Sequence, residues 1–447
     1  MTAGRGTALF TDLYELTMAA SYHELGLDRD ATFDLSVRRL PERRNFLVAA
    51  GLGPALEYLE GWKFDAEDLA YIASLGSFRD DFLARLGDTR FTGEVRAIPE
   101  GTAVFPNEPL LEVTAPLIEA QLVETALLNV VGFQTMVASK AARVALACGS
   151  TRFVDFSARR DHGFDAALGA ARASFIGGAS ATSLVEAGRR FGLPLSGTMA
   201  HSYVMSFTDE REAFLTFARG HRDDAVLLID TYDTLEGARR AASVAREVAA
   251  EGIAVRAVRL DSGDLGELAV GVRAILDEAG LEAVSIFASG DLDEDRIADL
   301  RAAGAPIDAW GVGTRLGTSR DAPALDIVYK LVEDEQGSRI KLASGKLTPP
   351  GRKQVHRVTD GDTYERDVLA LEHEEVAEGV PLLETVMAGG RRTTPPRELE
   401  GLQEACREET ERLPTRLRSL DPADEDYEVC WSPGLTDLIE SLRGAGG

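Results

Sequence analysis

Short apolar runs alternate with longer helical stretches over the middle of the chain. Five of these runs are rich in aliphatic and β-branched side chains and end in polar or glycine-containing turns, which is typical of buried strands. The predicted strands cover residues 152–156, 225–229, 255–260, 284–288 and 309–312. Stretches with helical periodicity lie between them, for example residues 234–250 and 264–279. This alternation predicts repeated βαβ units around a parallel sheet.

The turns that follow these strands carry most of the polar chemistry of the chain. A barrel brings all such turns together on one face, whereas an open doubly wound sheet spreads them along an edge. Neither a G-x-G-x-x-G nor a G-x-x-x-x-G-K-[ST] sequence occurs, so a dinucleotide-binding fold and a P-loop are not supported. We therefore expect an α/β fold with an irregular or incomplete (β/α) barrel over residues 121–335.

The remaining residues indicate a second, smaller α/β domain formed from both chain ends. Residues 1–120 mix helical and strand signals with Gly and Pro punctuation, and we assign them to its N-terminal part. An alanine- and leucine-rich run over residues 119–147 predicts a long helix that Gly149 ends. Residues 336–447 complete the smaller domain in this assignment and form a tail to which no motif assigns a role.

The amino-acid composition limits the classes of molecule that this chain is expected to bind. Lys and Arg total 48 against 74 Asp and Glu, a formal net charge of −26, which argues against a nucleic acid or an anionic membrane as partner. Most of the few lysines fall in one stretch, at Lys330, Lys341, Lys346 and Lys353. This stretch either faces a phosphate group or is a solvated loop.

The cysteines and the start of the chain bear on the compartment. Cys148, Cys406 and Cys430 are far apart, so neither a disulfide framework nor a zinc site is indicated. The first residues lack the features of a signal peptide, and no apolar run reaches the length of a membrane span. We therefore expect a cytoplasmic protein.

A histidine, His201, stands in the small-residue segment Ser-Gly-Thr-Met-Ala-His-Ser at 196–202. At the end of a strand, such a histidine can accept and release a phosphoryl group. The alternative is a buried histidine whose ring is satisfied by its neighbours. Asp230 directly follows another predicted strand, so a barrel would bring it to the same face.

Two further strand ends carry the same string, Ser-Gly-Asp-Leu, at 262–265 and 289–292. Arg259 beside Asp261 puts a cation next to carboxylates. This pair suits a substrate carboxylate or phosphate on one side and ribose hydroxyls or Mg²⁺ on the other. The alternative role for Asp261 or its neighbour Ser262 is to cap the helix that starts at this point.

The string Gly-Val-Gly-Thr at 311–314 follows the last predicted strand. Free backbone N–H groups at such a position can form a binding site for a 5′-phosphate. A plain turn is the alternative for a pair of glycines.

Taken in order, these segments resemble the nicotinate phosphoribosyltransferases, a family of type II phosphoribosyltransferases. The resemblance extends over roughly residues 8–355, which no single motif match would do. Its motifs cover residues 11–18, 156–163, 197–202, 259–265, 289–292, 311–314 and 329–332.

The resemblance implies an enzyme of NAD salvage. It would transfer the phosphoribosyl group of 5-phosphoribosyl 1-pyrophosphate (PRPP) to nicotinate, giving nicotinate mononucleotide and pyrophosphate, with ATP hydrolysis coupled through a phosphohistidine. Mg²⁺ would bind mainly through the pyrophosphate, with Asp261 and Asp291 as further candidate ligands. The resemblance also implies a homodimer whose active sites are shared between subunits.

The resemblance assigns roles to individual residues. His201 corresponds to the histidine that ATP phosphorylates, and Asp230 to an acid that orients it. Phe156 would stack on the pyridine ring, with Tyr14 of the partner subunit on the opposite face. The resemblance also implies that Arg159 and Arg259 contact the ring substituent and that Ser183 lines the base pocket. Asp261 and Asp291 would contact the ribose, next to Ser289 and Gly290. Gly313 and Thr314 would contact the phosphate.

One departure from the family and two other functions stay open. Where the family carries Gly-Ser-Arg-Arg, this chain has Ser-Ala-Arg-Arg at 157–160, so His162 is an alternative to Arg159 as the polar group facing the ring. The other functions are a phosphoribosyltransferase for a related pyridine, nicotinamide or quinolinate, and a non-catalytic sensor of pyridine nucleotides. An intact His201 argues against the sensor, because a sensor needs no phosphoryl acceptor.

Overall fold

The computed structural model describes residues 8–341 and 347–445, so Lys346 lies outside the described residues. The described chain separates into two compact units. One contains the residues up to Ser139 together with those from Ala322 onward, and the other is Lys140–Asp321. The long helix Glu124–Cys148 includes the point at which the units divide.

The unit Lys140–Asp321, which is described throughout, is built on a parallel sheet. Its strands are Arg152–Asp155, Ala225–Leu228, Val255–Leu260, Ser285–Ala288 and Ala309–Val312. The last four pair in chain order, and the first strand pairs with the last. Beyond the first strand, single parallel bridges join Asp155 to Thr182 and Thr182 to Leu195. The predicted parallel sheet is confirmed.

Helices connect these strands, and the predicted elements end within one residue of the observed ones. The helix Thr234–Ala249 shows why, because Asp233 caps it by accepting a hydrogen bond from Glu236 N at 2.8 Å. Its buried face carries alanines and valines at helical spacing. The helices of this unit are Phe164–Ile176, Val185–Phe191, His201–Met205, Glu210–Gly220, Thr234–Ala249, Leu265–Glu278, Glu294–Ala302 and Thr314–Gly317.

The other unit contains antiparallel sheet that joins distant parts of the chain. Asp30–Val37 pairs on one side with Pro109–Pro116 and on the other with Ile327–Asp334. In sheet order, the largest sheet of the described residues contains Gly337–Ser338, Ile327–Asp334, Asp30–Val37, Pro109–Pro116, Glu94–Ala97, Glu384–Ala388 and Arg391–Arg392. A second contains Val380–Pro381, Lys353–Asp360, Thr363–Leu371 and Glu428–Trp431, and a small one pairs Leu47–Val48 with Ala103–Val104.

Helices pack against these sheets, most of them around a large shared apolar core. The predicted helix over residues 119–147 is interrupted at Val123, and the chain leaves it at Gly149, whose φ is 55°. The helices of this unit are Leu13–Leu25, Leu52–Gly61, Ala66–Ser74, Asp80–Asp88, Leu117–Leu122, Leu399–Arg412, the 3₁₀ turn Thr415–Arg418 and Pro433–Ala445. In the part of the chain that is described, no helix is both long and apolar enough to cross a membrane.

Lys353 departs from both predictions made for the lysine-rich stretch. Its side chain is fully buried, with Nζ 2.8 Å from Asp34 Oδ2. A buried ammonium group is tolerated only when it is paired in this way. Lys353 therefore neither faces a ligand phosphate nor lies in a solvated loop.

Candidate active site

Each strand of the parallel sheet leads into a residue assigned to the site from sequence. Because the strands are parallel, their carboxyl ends lie at the same edge of the sheet. The residues at these ends are Phe156, Asp230, Asp261, Ser289 and Gly313. The fold thus collects the predicted chemistry at one edge.

Arg259 is the centre of a hydrogen-bond network at this edge. Its guanidinium donates from Nε to Ser289 Oγ at 2.8 Å and from Nη1 to Thr198 Oγ1 at 2.9 Å. From Nη2 it donates to Asp261 Oδ1 at 2.7 Å, and Ser289 Oγ donates to the same oxygen at 2.6 Å. Burial alone would raise the pKa of Asp261, but the Ser289 hydroxyl, Arg259 and the His201 ring together hold it below its usual value. Asp261 is therefore an ionised carboxylate at neutral pH.

His201 begins the short helix His201–Met205, and its ring is accessible, with 40% of the side chain exposed. Nδ1 lies 3.2 Å from Thr231 Oγ1, and Nε2 lies 3.7 Å from Asp261 Oδ2. The ring is therefore oriented from both sides but is not enclosed. This excludes the alternative of a buried, fully satisfied histidine.

Asp230 supports the turn that carries Asp261. Its Oδ2 accepts hydrogen bonds from Asp261 N at 2.9 Å and from Ser262 Oγ at 2.7 Å, while Oδ1 is buried without a partner among the described residues. The groups that contact the His201 ring are instead Thr231 and Asp261. The role of Asp230 in orienting His201 thus has no direct contact here and stays a prediction.

The predicted helix cap is wrong in its position. Helix Leu265–Glu278 is capped by Asp264, whose Oδ1 accepts from Gly266 N at 3.0 Å and Glu267 N at 3.3 Å. Asp261 and Ser262 are thus left for the network around Arg259 and Asp230.

Phe156 lies against a glycine. A Cβ added to Gly311 would come within 2.8 Å of two ring carbons of Phe156, so no larger residue fits under the ring in this position. The Phe156 amide donates to Val312 O at 2.8 Å, which fixes the backbone. The Arg259 guanidinium carbon lies 5.6 Å from the ring centroid, and the Phe287 centroid lies 5.7 Å away. The ring is held by these contacts in one place.

The loop after Phe156 packs on the short helix Thr314–Gly317. A Cβ on Gly317 would come within 2.0 Å of Asp161 Oδ1, and Asp161 Oδ2 accepts from Ser157 Oγ at 3.0 Å. Burial, together with the charge of Asp155, raises the pKa of Asp161 to about 6. The loop and the helix are therefore in tight contact.

The second Ser-Gly-Asp-Leu string is shaped differently from the first. Both glycines have a positive φ, 82° at Gly263 and 98° at Gly290, but φ is −78° at Asp264 and 48° at Asp291. A Cβ on Gly290 would come within 2.1 Å of Asp261 O. Asp291 accepts two hydrogen bonds from Arg315, and this pairing comes first among the causes that lower its pKa. The cap of the following helix is Asp293 rather than Asp291. The same four-residue string thus has a different role at each of the two strand ends.

The remaining predicted residues lie on accessible segments. Arg159, His162, Ser183 and Thr314 are exposed, and the Ser183 amide donates to Asp155 O at 2.9 Å. Arg159 and His162 are both in the exposed class, so the geometry leaves both available as polar groups. Tyr14 belongs to the other compact unit, in helix Leu13–Leu25, with 48% of its surface exposed.

Comparison with known proteins identifies the family. Residues 9–132 match the family model described as the nicotinate phosphoribosyltransferase (NAPRTase) N-terminal domain. The nicotinate phosphoribosyltransferase pncB2 of Mycobacterium tuberculosis is 48% identical over 439 residues, which cover 98% of this chain and 94% of that relative. The chain belongs to the nicotinate phosphoribosyltransferase family.

Two further members support this membership. The nicotinate phosphoribosyltransferase of Bacillus subtilis is 47% identical over 379 residues, covering 83% of this chain and 77% of the relative. The crystal structure of human nicotinic acid phosphoribosyltransferase superposes with a TM-score of 0.87 at 30% identity, covering 97% of this chain and 99% of the human chain. Similarity to the family therefore extends over nearly the whole fold.

Two residues that hold the site were missed in the sequence. Each is adjacent in the chain to a residue or string that was recognised, so the strand ends themselves were the available signal. Which neighbour turns inward depends on the backbone path of each turn, and the pattern of residue types does not contain it. The missed residues are Thr231 and Arg315, whereas Thr198 and Ser262 lie in recognised segments for which no contact with Arg259 or Asp230 was predicted.

The residues present fit a metal ion that arrives with substrate. Within the described residues, no group of three or more His, Cys, Asp or Glu side chains is arranged to hold a metal. Asp261 and Asp291 are the candidate metal ligands from the sequence, but the carboxylates of both are already hydrogen-bonded to arginine. Mg²⁺ typically keeps several waters and uses one or two carboxylates plus substrate phosphates, and this donor set suits that mode.

Proposed function

We propose that this chain transfers the phosphoribosyl group of PRPP to nicotinate, giving nicotinate mononucleotide and pyrophosphate in NAD salvage. The observation that carries the proposal is the network of Arg259, Asp261 and His201 beside Phe156, at the carboxyl ends of parallel strands in a member of this family. The network offers an aromatic face, a cation, a carboxylate and a nucleophile at one edge of the sheet. Those are the groups that the reaction requires.

Phe156 and an arginine recognise the pyridine. Nicotinate is a flat anion, so a ring fixed against Gly311 offers a stacking surface and a guanidinium satisfies the carboxylate. Most N–H groups of Arg259 are already hydrogen-bonded, to Ser289, Thr198 and Asp261. Arg159, which is exposed, is therefore the arginine better able to reach the substrate carboxylate, with Ser183 lining the base pocket.

Carboxylates stabilise the transferred sugar. The anomeric carbon gains positive charge as pyrophosphate leaves, and the ionised Asp261 lies at this edge to oppose that charge, with Asp291 as the second ribose contact. Bound Mg²⁺ would stabilise the negative charge that develops on the departing pyrophosphate. Gly313 and Thr314 hold the 5′-phosphate at the start of their turn, and Ser289 and Gly290 shape the ribose side.

His201 couples ATP hydrolysis to this transfer. An imidazole nitrogen of His201 attacks the γ-phosphorus of ATP, so that an N–P bond forms as the bond to ADP breaks, and water later releases phosphate from the histidine. The phosphoryl group adds roughly two negative charges beside Asp261 and Arg259. Repulsion from Asp261 and attraction to Arg259 then rearrange the network that contacts both substrates, which links phosphorylation to their affinity.

We further propose that the sheet of Lys140–Asp321 is an incomplete (β/α) barrel. Pairing of the first strand with the last is what barrel closure requires. In this unit, Ala225–Leu228 is the far edge strand and pairs with Val255–Leu260 alone. The barrel would be open beside that strand.

A homodimer with shared active sites is the assembly we propose, in the cytoplasm, where its substrates ATP and PRPP are used. Several large apolar side chains are exposed in the segments between the first two strands and just beyond the second, at Phe164, Val185, Leu195, Met205 and Tyr232. Exposed apolar groups near one edge support a protein interface there. Tyr14 of the partner subunit would then complete the pyridine slot.

Steady-state turnover with three pyridines tests the function. With PRPP, Mg²⁺ and ATP, we expect mononucleotide from nicotinate and much slower turnover of nicotinamide and quinolinate. Nicotinamide has no carboxylate for Arg159 to bind, and for the second carboxylate of quinolinate Arg259 has few N–H groups left. Nicotinamide as the better substrate would overturn the assignment. His201→Ala separates enzyme from sensor, since ATP-dependent turnover should collapse while a sensor would keep pyridine nucleotide affinity and show no turnover in either form.

A further inference from the structure

Arg315 links two loops of the site. It lies two residues beyond Gly313 in the short helix Thr314–Gly317. Its Nε and Nη2 donate to the two carboxylate oxygens of Asp291, at 3.2 and 2.9 Å, and its Nη1 donates to Asp293 Oδ2. One guanidinium thus joins the turn after the last strand to the turn after the strand before it.

Asp291 depends on such a partner because its backbone conformation is unusual. Its φ of 48° lies in the left-handed region, which few residues other than Gly, Asn and Asp adopt. Gly290 before it is pressed against the Asp261 carbonyl, so the turn cannot shift toward Asp261. The Asp291 side chain is 69% exposed, and the two hydrogen bonds from Arg315 select one of its rotamers.

Asp293 anchors the other end of the link. It is 8% exposed, and its Oδ1 caps helix Glu294–Ala302 by accepting from Arg296 N at 3.0 Å. Arg315 is therefore held by a carboxylate that the helix itself fixes. The guanidinium also offsets part of the negative charge that two aspartates would otherwise present to an anionic ligand.

We propose that Arg315 is a positioning residue for PRPP, holding Asp291 at the ribose and coupling it to the phosphate-binding turn Gly313–Thr314. The inference rests on the proposed function, which assigns the ribose to Asp291 and the 5′-phosphate to Gly313 and Thr314. Arg315 and Thr314 belong to the same short helix. A movement of the phosphate-binding turn therefore also moves Arg315 and, through its hydrogen bonds, Asp291.

Steady-state kinetics of two substitutions at this position test the inference. Arg315→Gln should raise the KM for PRPP about tenfold, and Arg315→Lys by less, because an ammonium group keeps the charge without the bidentate geometry. The kcat and the KM for nicotinate should change less than about twofold. Arg239→Gln is the matched control, since it removes a surface ion pair with Glu236 in the same unit. Equal PRPP KM values in Arg315→Gln and Arg239→Gln would overturn the proposal.

Calorimetric titration with ribose 5-phosphate separates this inference from the proposed function, because it needs no turnover. Wild-type protein should bind ribose 5-phosphate more tightly than inorganic phosphate, and Arg315→Gln should lose most of that preference. Adding Asp291→Asn to Arg315→Gln should cause no further loss, since both act through one contact. Additive losses would overturn the positioning role. An intact ribose 5-phosphate preference without nicotinate turnover would instead contradict the proposed function alone.

Discussion

At the scale of single residues, small side chains decide where the reactive ones lie. Gly311 leaves room for the Phe156 ring, and Gly290 allows the ribose turn to approach the Asp261 carbonyl. The geometry of the pyridine and ribose sites is therefore set partly by the absence of a Cβ. Substitution at such a glycine should act on a named neighbour rather than on the fold as a whole.

Gly311→Ala should displace the Phe156 ring, because the added methyl group would lie 2.8 Å from two ring carbons. We expect the KM for nicotinate to rise roughly fivefold, as an aromatic contact is worth about 1 kcal/mol beyond its area, with the KM for PRPP nearly unchanged. Steady-state kinetics with each substrate varied measures this. Gly220→Ala is the control, since nothing lies within 4 Å of a Cβ at that helix end, and equal nicotinate KM values in the two variants would contradict the role of Gly311.

Site residues directly at strand ends could be predicted from the sequence, and their neighbours in the turn that follows less so. Asp261 and Arg259 follow from their position at a strand end, whereas Thr231 at the His201 ring does not. A turn of two or three residues can point any of them inward, and this depends on φ and ψ. The left-handed Asp291 is such a case, because its sequence context equals that of Asp264, which instead caps a helix.

At the scale of elements, caps and loop contacts hold the site turns. Helix Leu265–Glu278 begins directly after the Asp261 turn. The loop after Phe156 is fixed against the helix Thr314–Gly317 through Asp161. The helix cap is a polar contact and the contact of Asp161 with Gly317 is one of close packing, and each can be altered without removing a group assigned to substrate binding.

Asp264→Ala should remove the cap of helix Leu265–Glu278. We expect the free energy of unfolding to fall by about 1 kcal/mol, measured by urea denaturation, with kcat little changed in the folded protein. Asp261→Asn should do the opposite, lowering kcat strongly with a smaller effect on stability. If Asp264→Ala abolished turnover at full stability, the division between cap and site would be wrong.

The stability contribution of Asp161 should depend on pH. Its pKa of about 6 lies above the ordinary value of 3.8, mainly because it is buried, so the folded state holds its proton more tightly than the unfolded chain. This contribution is therefore greatest below about pH 4, falls as pH rises toward about pH 6 and stays low above that. The Asp161→Asn variant cannot ionise at this position. The difference between its free energy of unfolding and that of the wild type should therefore rise between about pH 4 and about pH 6.

Urea unfolding at several pH values measures this difference. Asp299→Asn, which changes an exposed carboxyl on helix Glu294–Ala302, is the control and should show no such trend. A parallel pH dependence of wild type and Asp161→Asn would exclude the raised pKa.

Local periodicity was sufficient for the strands and two of the helices of the parallel unit and insufficient for the pairing of strands in the other unit. Residues 234–250 repeat their apolar positions at helical spacing, and the helix is found there. The antiparallel sheet instead pairs Asp30–Val37 with Ile327–Asp334, and no local pattern specifies partners so distant in sequence. Burial of Lys353 against Asp34 is a consequence of the same long-range assembly.

At the scale of the whole molecule, the residues that the family resemblance assigns to the site come from both compact units. Phe156 and His201 belong to Lys140–Asp321, and Tyr14 belongs to the other unit. The proposed homodimer supplies Tyr14 from the partner subunit. That arrangement predicts a specific behaviour when two defective chains are mixed.

Tyr14→Ala and His201→Ala should each lose activity, and their mixture should regain part of it. In a mixed dimer, one of the two sites combines a wild-type Tyr14 with a wild-type His201. With random assortment half of the dimers are mixed, so about one quarter of wild-type activity should return. Differently tagged chains allow mixed dimers to be isolated and assayed. Confirmed mixed dimers without recovered activity would contradict a shared site.

Product formation from nicotinate and PRPP with Mg²⁺, measured by chromatography with and without ATP, shows whether this site transfers a phosphoribosyl group. We expect nicotinate mononucleotide in both cases, formed faster with ATP and accompanied by ADP and phosphate. Absence of mononucleotide under both conditions, from protein shown to be folded, would contradict the assignment of this site to phosphoribosyl transfer.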